Sequence, residues 1–137
     1  MKRTSGVILQ DDDLFLIVHR TGQNSITWTL PKGTVREGMG SIEVVKNKLG
    51  QLCNIYKDRY GNFEYLGERP NKYGNSIFEC YTTTLKNSIK KLDIRCNHIV
   101  SDGNMSGVHA IDDYRWVDKE TGTRFLPEHQ SEFLELI

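Results

Sequence analysis

An amphipathic helix set between strand-like segments constrains the fold of this chain more than any other feature. The helix is predicted to begin at Ser41 and to end near Cys53. Ser41 is well placed as its N-cap, and Glu43 is favourable in the first turn. Apolar residues recur through it at spacings of three and four, which places them on one face; they are Ile42, Val45, Leu49 and Leu52. Such a face must be buried against another layer of structure.

Short apolar runs on both sides of this helix predict strands. Residues 63–66 and 77–85 are predicted to form a hairpin with a long loop, and residues 97–107 are predicted to be a mobile loop. Pro127 opens a second predicted helix, whose apolar residues pack on the sheet. The other predicted strands are residues 7–9, 14–18, 26–30, 92–95 and 114–117. Strands before, between and after two helices favour an α/β or α+β sandwich.

The composition suits a single soluble domain. The chain has 137 residues, 37% of them hydrophobic, so one core and one domain spanning residues 1–137 are expected. Its 18 basic and 18 acidic residues cancel, so any site for an anionic partner must be local. No run approaches the ~20 apolar residues of a membrane helix, and no signal peptide is recognisable. Cys53, Cys80 and Cys96 lack disulfide-framework or zinc-site spacing, which predicts reduced thiols in a cytoplasmic protein.

A glycine-containing loop joins the third predicted strand to the helix. It reads Trp28-Thr29-Leu30-Pro31-Lys32-Gly33-Thr34-Val35-Arg36-Glu37-Gly38-Met39. A strand ending in Trp-x-Leu-Pro-Lys-Gly, a glycine loop and a helix together resemble the Nudix box. The lead-in is most similar to the branch that cleaves dinucleoside polyphosphates. The resemblance implies an α/β/α sandwich with a mixed central sheet and two main helices.

The positions that bind metal in the Nudix box carry other residue types here. Alignment on Gly33 retains the aliphatic positions at Leu49 and Ile55. The substituted positions are the loop glutamate, the arginine, the three helix glutamates and the closing glycine; they hold Met39, Asn47, Lys48, Gln51, Leu52 and Asn54. Positions 48, 51 and 52 share one side of the helix, where the family gathers carboxylates around magnesium.

These substitutions oppose magnesium binding. Magnesium prefers oxygen ligands, and metal-assisted hydrolysis needs the ion to offset charge and to position or activate water. Lys48 would repel the ion by roughly 1 to 4 kcal/mol per unit charge at ~4 Å, depending on the local dielectric. Together the resemblance and the substitutions therefore predict a catalytically inactive Nudix-like domain that needs no cofactor.

Phosphate recognition without a metal is compatible with the remaining residues. Backbone N–H groups of a glycine loop at a helix N-terminus bind anions. The predicted ligand is a nucleotide-type molecule such as ADP-ribose or a dinucleoside polyphosphate, or else the fold serves a regulatory role. Lys48 has the alternative of a solvated helix lysine, and Trp28 that of a core aromatic. The predicted ligand-binding residues are Lys32, Gly33, Gly38, Lys48 and Trp28.

Two other functions remain open from the sequence. The first is an active hydrolase in which a non-standard set of carboxylates holds magnesium, with Glu64, Glu68 and Asp112 as candidates. The second is an interaction module for RNA or protein that uses a local cluster of basic residues: Lys86, Lys90, Lys91 and Arg95. Neither His19 nor His109 has a serine or cysteine partner that the sequence identifies, so a nucleophilic triad has no support.

Overall fold

A mixed seven-stranded sheet forms the centre of the computed structural model. Residues 1–86 and 111–137 are described, together with two short strands that pair with each other at residues 99–100 and 108–109. The helices are α1 (Ser41–Cys53), α2 (Lys119–Phe125) and α3 (Glu128–Ser131), with 3-10 turns at Lys57–Arg59 and Glu132–Leu136. The strands are β1 (Lys2–Asp11), β2 (Leu14–Arg20), β3 (Trp28–Thr29), β4 (Lys32–Thr34), β5 (Glu64–Pro70), β6 (Ser76–Thr84), β7 (Ile99–Val100), β8 (Val108–His109) and β9 (Ile111–Val117).

Strand β1 pairs with three other strands of the sheet: β2, β4 and β6. The main path runs β3-β2-β1-β6-β5, with β4 paired to β1 and β9 paired to β2. Strands β1 and β6 are parallel, whereas β1 pairs antiparallel with β2 and β4. The predicted mixed sheet is therefore confirmed.

Alternating side chains of β1 and β2 divide the core between the two faces of the sheet. Val7 and Leu9 pack under α1, whereas Ile8 packs under the C-terminal helices. The first face also contains Leu49 of α1, and the second contains Phe133. The predicted α/β/α sandwich follows from this division, because both faces of the sheet are apolar and each is covered by helix.

Helix α1 has the bounds that the sequence predicts. Val45, Leu49 and Leu52 are buried as expected, while Ile42 is only partly buried. The prediction that Ser41 is the N-cap is wrong. Gly40 takes that position, and the Ser41 hydroxyl instead lies 2.7 Å from the Tyr81 hydroxyl.

The C-terminal region differs from the single helix predicted from Pro127. The chain forms α2, then α3 with Pro127 as N-cap, then a 3-10 turn. Phe133 and Leu134 are buried as predicted. The predicted strand at residues 92–95 lies outside the described residues, as does most of the predicted loop at residues 97–107.

Candidate functional site

The side chain of Lys48 covers Gly33. Gly33 is the first residue of the segment that resembles the Nudix box, residues 33–55, which we call the box-like segment. A Cβ atom added to Gly33 would lie 2.6 Å from Lys48 Cε and 2.8 Å from its Cγ. It would also lie 3.0 Å from Val44 Cγ1. Such distances are too short for real carbon contacts, so the aliphatic stem of Lys48 packs directly on the backbone of β4. The absence of a side chain at Gly33 makes this approach possible.

The other positions at which the resemblance predicts metal ligands offer few oxygen atoms. Leu52 belongs to the core under α1 with 7% exposure, and Gln51 is exposed. Met39 precedes the helix and is 38% exposed. One neutral amide oxygen, a thioether and a lysine do not make a site for a hard divalent cation. These residues therefore do not fit magnesium.

The carboxylates proposed as substitute ligands have other partners or lie apart. Glu68 forms an ion pair with Arg3 at 3.4 Å, and Asp112 accepts a 2.6 Å hydrogen bond from His19. Glu64 is exposed on β5. Within residues 1–86 and 111–137, no three His, Cys, Asp or Glu side chains lie together in a way that would hold a metal ion. Among those residues, the non-standard metal site has no structural support.

Gly38 lies in a turn between β4 and α1. Gly38 has a φ of +82°, a conformation that favours glycine, and the Met39 N–H donates to the Arg36 carbonyl at 3.1 Å. The turn brings the chain from β4 to the start of α1. A role in ligand binding for Gly38 remains a prediction.

Lys32 lies on the opposite face of β4 from Lys48. Gly33 faces α1, and successive side chains in a strand point to opposite faces, so the Lys32 side chain points to the side of α3. There it lines a cavity of about 290 Å³. The structure therefore does not bring Lys32 and Lys48 together in one phosphate-binding site. The cavity is lined by Lys2, Thr4, Lys32, Asn71, Asn75, Ser76 and His129.

The lining of this cavity, which we call the basic cavity, combines positive charge with hydrogen-bonding groups. Lys2, Lys32 and His129 supply the basic groups, and none of the described residues that line the cavity is acidic. Burial lowers the pKa of Lys32, and the charges of Arg20 and Lys2 lower it further. The Lys32 ammonium is partly desolvated and lies near other positive charges, so an anion that enters the cavity stabilises its charged form.

Hydrogen bonds in the β5–β6 turn shape part of the lining of the basic cavity. The Asn71 amide donates to the Asn75 side-chain oxygen at 2.7 Å, and the Asn75 N–H donates back to the Asn71 side-chain oxygen at 3.1 Å. The Asn71 N–H also donates to the Ser76 carbonyl at 3.0 Å. In the sequence these residues lie in the long loop of the predicted hairpin, and His129 is not among the predicted ligand-binding residues.

Trp28 belongs to the core rather than to an open surface. It is 3% exposed, and its ring centroid lies 5.4 Å from that of His19 and 6.4 Å from that of Phe125. The Arg115 guanidinium lies 4.9 Å from the same ring. A nucleobase would have to displace these neighbours, so the burial of Trp28 does not support its predicted contact with ligand. Tyr65, by contrast, is 50% exposed.

A second and larger cavity has the wrong charge for a phosphate ligand. It has a volume of about 540 Å³ and lies beside the β1–β2 turn and the start of α2. Asp12, Asp13, Asp118 and Glu120 contribute to its lining, together with Lys119. We therefore take the basic cavity as the candidate site.

The basic cluster predicted for RNA lies largely beyond the described residues. Lys86 is exposed at the end of β6, while Lys90, Lys91 and Arg95 lie outside the described residues, so this prediction stays open. Cys53 and Cys80 are both buried. No helix in the described part of the chain is long and apolar enough to cross a membrane.

Comparison with known proteins identifies the fold through structure alone. No protein-family profile and no curated protein matches the sequence. A C. elegans Ap4A hydrolase, solved as a binary complex, has a TM-score of 0.72 and 16% identity over 98% of this chain and 93% of that one. The MutT protein from Methanosarcina mazei Go1 has a TM-score of 0.68 and 15% identity over 98% and 91%.

A third solved structure contains a ligand of the predicted type. It is the NUDIX domain of Shewanella oneidensis NrtR complexed with ADP ribose, with a TM-score of 0.68 and 18% identity over 97% of this chain and 83% of that one. These three matches cover almost the whole chain. They establish that the chain has the fold of Nudix hydrolases, as the resemblance in the box-like segment implies.

Proposed function

We propose that this Nudix-fold domain binds a ligand containing a nucleoside diphosphate in the basic cavity and does not cleave it. The observation that carries the proposal is the position of Lys32, partly buried in a cavity that also contains Lys2 and His129. Lysine and imidazolium groups form charge-assisted hydrogen bonds to phosphate oxygens. The asparagine amides and the Thr4 and Ser76 hydroxyls supply neutral donors and acceptors for the rest of such a ligand.

The chemistry of two structural neighbours supports the ligand class. One neighbour is an Ap4A hydrolase and another was solved with ADP ribose, so both handle phosphate-linked nucleosides. The absence of cleavage rests on α1, where Lys48, Gln51 and Leu52 stand at the positions of magnesium ligands. Without the metal, this helix has no divalent cation to offset the developing charge of pyrophosphate hydrolysis or to activate the attacking water.

Isothermal titration with ADP-ribose and with Ap4A, each in EDTA and in magnesium, tests the proposal. We expect the same affinity in both media, because the cationic groups of the cavity belong to the protein. Lys32→Gln should weaken binding about tenfold, which corresponds to ~1.4 kcal/mol. Lys46→Gln is the matched control, because Lys46 is an exposed lysine of α1 that lies over the Phe63 ring, 5.5 Å from its centroid.

A hydrolysis assay with magnesium and manganese distinguishes the rival functions. Cleavage that disappears on substitution of Glu64, Glu68 or Asp112 would establish an active hydrolase with non-standard ligands and would contradict the proposal. Strictly metal-dependent binding would contradict it as well. Failure of both probes to bind would remove the ligand class altogether. Separate measurement of Lys48→Gln tests the predicted phosphate contact on the other face of β4.

A further inference from the structure

His129 is the one histidine among the described residues that line the basic cavity, and the ordinary pKa of imidazole lies close to neutral pH. It lies on α3, and its ring packs edge-on against Phe78 of β6, with 5.7 Å between the ring centroids. Burial lowers the pKa of His129, and the charge of Lys32 lowers it further, whereas Glu132 raises it. The imidazole therefore favours the neutral form when the cavity holds no anion.

The charged groups around His129 explain why its imidazole favours the neutral form. Lys32 of β4 and Lys2 of β1 line the same cavity, and both are cations. Glu132 is the acidic group that acts on the ring among the described residues, but Arg69 of β5 holds its carboxylate at 3.2 Å. Part of the negative charge that would favour imidazolium is thus neutralised. The asparagines of the β5–β6 turn add no charge.

An entering phosphate group would reverse this balance. Its negative charge offsets Lys32 and Lys2 and supplies an acceptor for a second imidazole N–H. The protonated ring would then be favoured, so a proton would be taken up from solvent as the ligand binds. By linkage, a reaction that takes up a proton becomes more favourable as the pH falls.

We propose that His129 takes up a proton when a pyrophosphate enters the basic cavity, which makes ligand binding tighter in mild acid. The inference rests on the proposed function, since it requires an anionic ligand at this site. Proton uptake would make the domain pH-sensitive: a fall in pH would favour ligand binding, and a rise in pH would favour ligand release. The balance is simple, because one proton moves from solvent to an imidazole nitrogen and no covalent bond to the ligand changes.

ADP-ribose is a suitable probe because its pyrophosphate is esterified at both ends and does not titrate near neutral pH. Isothermal titration in buffers of different ionisation enthalpy measures the number of protons taken up. We expect proton uptake to be largest at pH values between the pKa of His129 in the free protein and its higher pKa in the complex. In that interval the affinity should rise by up to about tenfold for each pH unit of acidification, and it should level off in stronger acid, where the free imidazole is already protonated. His129→Gln should abolish both effects, whereas His19→Gln should retain them. His19 lies outside the cavity, beside Asp112.

Nuclear magnetic resonance on the unmodified chain gives a second readout that does not depend on a variant. The imidazole signal of His129 should titrate at a higher pH with ADP-ribose than without it. Binding with no proton uptake, or with uptake that persists in His129→Gln, would overturn this inference and leave the proposed function intact. Failure of ADP-ribose to bind at any pH would overturn both.

Discussion

Asn54 shows how one substitution in the box-like segment preserves the backbone. Its φ of 59° places it in the left-handed region at the end of α1. The Asn54 N–H donates to the Gly50 carbonyl at 3.1 Å, and the Ile55 N–H donates to the Leu49 carbonyl at 2.9 Å. Glycine is the usual residue in this role, and asparagine is the side chain that adopts it most readily. An asparagine therefore caps α1 at the position where the resemblance to the Nudix box predicts a glycine.

We predict that Asn54→Ala lowers the free energy of unfolding by about 1 kcal/mol, because alanine pays the steric cost of the left-handed conformation. Asn54→Gly should be within a few tenths of 1 kcal/mol of the natural chain. Urea denaturation followed by circular dichroism measures both variants. An alanine variant as stable as the glycine variant would show that the left-handed conformation costs nothing here.

At the scale of elements, His19 ties strand β2 to β9 and to the turn that leads to β3. Its Nδ1 lies 2.6 Å from an Asp112 carboxylate oxygen, and its Nε2 lies 2.8 Å from the Asn24 carbonyl oxygen. Both partners are acceptors, so both ring nitrogens donate when the ring is protonated. The hydrogen bond to Asn24 and the one to Asp112 raise the pKa of His19 above 6.5.

The raised pKa of His19 gives a pH dependence with a definite sign. The folded state holds this proton more tightly than the unfolded state, so the contribution to stability is complete below pH 6.5 and is lost as the pH rises through the folded pKa. His19→Gln should flatten the slope of unfolding free energy against pH from 6.5 upward. Asp112→Asn should flatten it partly, because the Asn24 carbonyl remains. A slope unchanged in His19→Gln would contradict the assignment.

The elements that could be predicted from sequence are those whose signal is local. Helix α1 was predicted to its ends because its apolar spacing repeats over three turns. Helix α2 was missed because it contains a glycine and few apolar residues. Tertiary contact explains that glycine: a Cβ atom on Gly122 would lie 2.2 Å from Phe15 Cζ. Asp118 is the N-cap of α2, and its side chain accepts a 2.9 Å hydrogen bond from the Thr121 N–H.

The basic cavity could not be predicted because no single segment encodes it. Lys2, Lys32, Asn71 and His129 come from four distant parts of the chain and meet only through the parallel pairing of β1 with β6 and the docking of α3. The resemblance to the Nudix box identified Lys32 alone. It also grouped Lys32 with Lys48, although the alternation of β4 places them on opposite faces.

At the scale of the whole molecule, the sandwich separates the side of β4 where the resemblance predicts a metal site from the side that holds the basic cavity. The α1 face carries the residues at metal-ligand positions, and the α3 face carries the basic cavity. Strand β4 lies between them, with Gly33 toward one and Lys32 toward the other. The residue types on the α1 face can therefore differ from those of the Nudix box without any change to the cations of the cavity on the other face.

This separation predicts how magnesium affects the stability of the whole domain. An ion that binds only the folded state adds RT ln(1 + [L]/Kd), or about 2.7 kcal/mol at 100 times its Kd. We expect the unfolding free energy of the natural chain to be the same in EDTA and in millimolar magnesium. The double variant Lys48→Glu with Gln51→Glu should gain a magnesium-dependent increase, since it places two carboxylates on one side of α1. Lys48→Gln is the control, because it removes the cation without adding a ligand. Stabilisation of the natural chain by magnesium would show that other carboxylates hold the ion, and it would reopen the case for hydrolysis.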